Sequence, residues 1–166
     1  MSKNTTNYDE VAADPSFWWH VAEQARASAE ILWSSLSERV NLHPADIRAR
    51  RLGAGRFFML LMAVALENLC RAIAMVKNPG GWRDLSERGG HGLSSYLKRF
   101  KRLSPKERDL VKRLEIFRSW AGGYPLPKNP KIYEQEYLLR EMKSSDFATA
   151  SNLFRLLKEE FEARRL

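Results

Sequence analysis

A chain of 166 residues, 44% hydrophobic and 29% charged, is long enough to bury a core, too short for two comfortable domains, and unlike the apolar-poor composition of disordered chains. Cys70 is the only cysteine, which excludes an intramolecular disulfide or a cysteine-built metal site and points to a reducing cytosol. The net charge of +8 favours anionic partners.

The first residues, Met1 to Asn7, lack the apolar core of a signal peptide, and the most apolar run, Phe57 to Leu66, is well short of the roughly 18 residues of a membrane span. A cytoplasmic protein with no membrane partner is expected. Asp14-Pro15 supplies an N-cap and a first-turn proline, and Trp18, Val21, Ala25, Ala29, Leu32 and Leu36 then recur at three- and four-residue steps. This predicts an amphipathic helix over about 15–40. Asn41 to Ala45 reads as a connection, followed by a helix over about 47–77 that ends at Asn78-Pro79-Gly80-Gly81. Its middle, Phe57 to Leu66, is apolar on every side and belongs at the centre of a core.

Trp82 to Gly92 reads as a loop, leading to a short helix over about 93–103. Ser104-Pro105-Lys106-Glu107 combines a serine N-cap, a proline at the first helical position and a glutamate at the third, which is a capping box. The helix that starts there buries Leu110, Leu114, Phe117 and Ala121, spreads Lys106, Arg108, Lys112 and Arg113 over its other sides, and stops at Gly122-Gly123. Prolines 125, 127 and 130 predict an extended segment at about 123–131. Ser144-Ser145-Asp146 caps a last helix in which Phe147, Ala150, Phe154, Leu157 and Phe161 keep the helical rhythm. No period-2 run or hairpin dipeptide occurs, so the expectation is an all-α single domain over 1–166: a bundle of four long helices plus a short one.

Charge is concentrated. Lys98, Arg99, Lys101, Arg102, Lys106, Arg108, Lys112 and Arg113 face only Glu107 and Asp109 in the same segment, a surface suited to a phosphate backbone or an acidic protein. Glu67-Asn68 interrupts the apolar helix, and Arg71 stands one turn beyond Glu67, where an ion pair can anchor the buried charge. His20, His43 and His91 have no metal-ligand spacing, and Gly53-Ala54-Gly55 lacks the rest of a phosphate loop. No metal and no cofactor is expected. Gly90-His91-Gly92 can expose an imidazole, and Trp120 with Tyr124 can stack a base or close the core.

The run Phe58 to Leu69, then Gly90-His91-Gly92-Leu93, then Trp120-Ala121-Gly122-Gly123-Tyr124-Pro125, resembles bacterial proteins related to the HEPN superfamily, over about residues 15–130. The resemblance implies a helical bundle that commonly dimerises, and in the active members RNA cleavage. That activity needs an arginine followed four to six residues later by a histidine. Here Arg118 is followed at the sixth place by Tyr124, Arg88 and His91 are three apart, and Arg39 and His43 four apart at the end of the first helix. Arg118, Tyr124 and His91 are the catalytic candidates, and tyrosine, with its pKa near 10, is a poor base at neutral pH. The expected role is a catalytically degenerate HEPN-like module that binds RNA or an acidic protein. The alternatives are a defence or toxin ribonuclease acting as a homodimer, and a homo-oligomeric interaction protein.

Overall fold

The computed structural model describes residues 8–37, 43–78, 92–98, 100, 102–121, 130–136 and 141–165. These residues are mostly helical and include no strand, as the sequence pattern requires. The helices are α1 (Tyr8–Ala13), α2 (Pro15–Ser37), α3 (Pro44–Lys77), α4 (Leu93–Leu97), α5 (Pro105–Ile116), which runs directly into a π turn (Phe117–Ala121), α6 (Pro130–Glu136) and α7 (Asp146–Arg165).

The core is built around α3. Phe58, Met62, Ala65, Leu66, Leu69 and Ile73 lose essentially all contact with solvent, and each buried Leu, Ile, Phe or Met contributes about 1.5–3 kcal/mol of transfer free energy. Helix α2 packs along α3 through Ala22, Ala25 and Ala29, whose short side chains let two backbones approach closely. Helix α7 closes a third side with Ala150, Leu153, Phe154, Leu157 and Phe161. Two tryptophans of α2 lock it in place: Trp19 stacks on Phe161 at 5.1 Å between ring centroids, and Trp33 stacks on Phe147 at 5.1 Å while meeting Phe58 at 5.0 Å.

Four boundaries differ from the sequence reading. Helix α3 starts at Pro44 rather than near Ile47, because a proline at the first position needs no donor and His43 caps it, accepting from Ala45 N at 3.3 Å. Helix α4 ends at Leu97 rather than near Leu103, since Ser104 must be extended to cap α5. Pro130 opens α6 instead of prolonging an extended segment, again a proline at N1. Helix α1 was not foreseen; the Trp18 indole donates to the Ala12 carbonyl at 2.8 Å and ties it to α2.

Helix α3 is also long and apolar enough, by length and composition, to cross a membrane: an 18-residue window has a mean hydropathy of 1.8, with 56% of it buried inside the bundle. This corrects the expectation drawn from Phe57 to Leu66, because Leu69 to Val76 resume the apolar run beyond Glu67.

Candidate functional site

Glu67 is a half-buried residue of the core helix α3, and its carboxylate is held by two guanidiniums. Arg71, one turn along α3, donates Nη2–H to Oε1 at 2.7 Å, and Arg118 donates Nε–H to Oε2 at 3.1 Å. Arg118 reaches α3 because the chain leaves α5 through the π turn, in which one additional residue per turn changes the direction of every following side chain. The same turn presents the Ala121 carbonyl to Arg56 Nε at 2.9 Å, so both ends of the turn are fastened to arginine or glutamate on α3. The Arg71 guanidinium lies over the Trp18 ring, 5.0 Å from its centroid, which links the cluster back to α2. Arg71 Nε is buried and has no hydrogen-bond partner among the described residues.

The cluster thus gathers Glu67, Arg71 and Arg118, three of the residues singled out from the sequence. Asn68 stays apart, its Nδ2 donating to the Val64 carbonyl of its own helix at 2.8 Å. Tyr124 and His91 lie outside the described residues. His20 is exposed on α2, and His43 is occupied as the cap of α3. Two arginines on one carboxylate can hold an oxyanion, but both Glu67 oxygens already accept hydrogen bonds. No grouping of His, Cys, Asp or Glu capable of holding a metal occurs among the described residues.

A second feature is the basic surface of α4, α5 and their connection. Lys98, Arg102, Lys106, Arg108 and Lys112 are exposed; Arg99 and Lys101 lie outside the described residues. The acidic groups between Lys98 and Arg113, Glu107 and Asp109, are both engaged within the protein. Glu107 is buried in the capping box, where Ser104 N–H donates to its carboxylate at 2.7 Å and Ser104 Oγ accepts from Glu107 N at 3.3 Å. Asp109 accepts from Lys143 Nζ at 2.8 Å and from Arg113 Nη2 at 3.1 Å, and the Lys143 hydrogen bond in particular holds its carboxyl below the ordinary aspartate value.

Arg113 does not belong to that surface, contrary to the sequence reading. Its side chain is 2% exposed and its guanidinium is committed to both Asp146 oxygens (Nη2–Oδ1 2.6 Å), to Asp109 and to the Glu141 carbonyl at 3.0 Å. Burial works against the cation, and the Asp146 hydrogen bonds and charge outweigh it, raising its pKa. Asp146 also accepts from Lys143 N at 2.7 Å, so one carboxylate starts α7 and fixes α5 against it. The sequence reading placed Asp146 in a helix cap and Asp109 among the basic residues but missed the Arg113–Asp146 and Lys143–Asp109 pairs, whose partners lie more than thirty positions apart.

A cleft of about 270 Å³ between α2 and α7 is walled by charges paired among themselves, Arg26 with Glu23 and Glu30, and Lys158 with Glu23. The buried Cys70 thiol is pushed far up by burial, with the Glu67 charge adding to it, and offers no nucleophile. Compared with known proteins, the chain matches no family model, no curated protein and no solved structure.

Proposed function

We propose that the protein is a HEPN-like helical module of the cytoplasm that binds RNA through the α4–α5 surface without cutting it. The observation that carries this reading is the exposure of Lys98, Arg102, Lys106, Arg108 and Lys112 together with the burial of Glu107 and the pairing of Asp109 with Lys143 and Arg113, which leaves the surface predominantly cationic. Four phosphate contacts to single-stranded RNA give a slope of log affinity against log salt of about −3. A gel-shift series with mixed-sequence single-stranded RNA tests it. The expected result is a shift that weakens at that slope and is lost in Arg102→Glu/Lys112→Glu; salt-insensitive binding, or none, refutes it.

The ribonuclease reading is favoured by one observation, the π turn that directs Arg118 onto Glu67, since π turns gather at functional sites. Its requirement is RNA fragments on a denaturing gel that vanish in Arg118→Ala. Intact RNA under conditions where the shift is complete leaves binding as the function.

A further inference from the structure

Asp109 sets a carboxylate among the cations of α5. Its side chain is 40% exposed, and the exposed Lys106 and Lys112 stand three positions before and after it, the spacing at which side chains of one helix meet. An aspartate so placed would ordinarily take one of these lysines as its partner and cost the surface a free cation. Here its partners come from elsewhere. The buried Arg113, one turn on, donates Nη2–H at 3.1 Å, and Lys143, in the segment leading into α7, donates Nζ–H at 2.8 Å. Arg113 alone does not balance the charge, because its guanidinium also serves both oxygens of Asp146. The four groups Arg113, Asp146, Asp109 and Lys143 sum to zero; without Lys143 they leave one negative charge between Lys106 and Lys112. The position of Lys143 is itself fixed, since its backbone N–H donates to Asp146 Oδ2 at 2.7 Å.

We infer that Lys143 is a positioning residue for the basic surface: it holds the Asp109 charge, so that Lys106 and Lys112 stay available to phosphate. The inference deepens the RNA reading and rests on it. It gives a residue more than thirty positions from the α5 cations a part in binding that requires no contact with the nucleic acid. Direct contact of Lys143 with phosphate is the competing role, and the two diverge once Asp109 is made neutral: a counterion is then no longer needed, whereas a phosphate contact still is.

The test uses the full chain and a fluorescent mixed-sequence single-stranded RNA, followed by anisotropy across a salt series. Lys143→Met is expected to weaken binding about fivefold at about 0.1 M salt and to flatten the slope of log affinity against log salt by about 0.7, the equivalent of one phosphate contact, because Asp109 then claims a lysine. Asp109→Asn/Lys143→Met should restore the wild-type affinity and slope, a rescue that neither lost folding nor a lost phosphate contact would give. Lys143→Arg, which keeps the charge, should bind as the wild type does. A double variant as weak as Lys143→Met overturns the inference and makes Lys143 a phosphate contact. Unchanged binding in Lys143→Met overturns it while leaving the RNA reading intact, and absence of binding by the wild-type chain refutes that reading and the inference with it.

Discussion

Arg113 and Asp146 form a fully enclosed ion pair, each side chain 2% exposed, and their energetics are lopsided. Taking two charges out of water costs nearly what their attraction returns, but removing one partner leaves the other charge buried alone. Asp146→Asn or Arg113→Met is therefore expected to lower unfolding free energy by about 3–5 kcal/mol in urea titrations, while Arg113→Met/Asp146→Leu recovers most of the loss. Double and single variants of equal stability would refute this coupling. At this scale the sequence is least informative. Helical spacing places Arg113 beside the Leu110–Leu114 stripe but does not say whether it turns to water or to a carboxylate 33 positions later, and the partner decides. The Glu67–Arg71 pair was legible because it is local, one turn along one helix; the second guanidinium on Glu67 was not, because Arg118 comes from 51 positions away.

Local chemistry reads far better at the scale of elements. The capping box at Ser104 forms as its four-residue pattern predicts, because its donors and acceptors all lie within one turn. Helix ends set by long-range groups are another matter, and α4 shows why. The Glu115 carboxylate of α5 accepts from both Ser94 N and Ser94 Oγ at 2.8 Å, doing for α4 what a capping residue would do. Gly92 makes room for it: a Cβ there would stand 2.4 Å from Glu115 Oε1. In Gly92→Ala the carboxylate must swing out and give up both bonds, at a cost of about 1–2 kcal/mol. Chemical denaturation checks this, and Glu115→Ala should add almost nothing in the Gly92→Ala background, since the bonds it removes are already gone.

For the whole molecule, the all-helical class follows from apolar periodicity, because burial of a stripe is the largest favourable term, and the identity of α3 as the core helix follows from a run, Phe57 to Leu66, that is apolar on every side. The basic surface is only partly legible: charge composition locates it, whereas which of its charges are paired or buried depends on the assembled bundle. Electrostatics across the bundle also predicts an acid response. Glu23 resists the upward push of burial through its bonds to Arg26 and Lys158, and Asp109 is held by Lys143, so both carboxyls titrate below their ordinary values of 4.5 and 3.8. A lowered folded-state value means that the charged form stabilises the fold; the contribution is complete above the ordinary value and disappears as pH falls through the lower one. The melting temperature should stay level from neutral pH to about pH 5 and fall more steeply below it, with part of that fall removed in Asp109→Asn. An unchanged acid limb in that variant would count against the Lys143–Asp109 link.

The π turn at Phe117–Ala121 has a bearing on chain length as well as on geometry. Such a turn is an ordinary helix with one residue inserted, and a single-residue deletion there lets the helix close regularly. The deletion would leave Ile116 and the buried stripe before it in place but rotate everything after it by about 100°, carrying the arginine off Glu67. A one-residue deletion at this point is therefore expected to cost the core helix its second guanidinium even with every other residue kept.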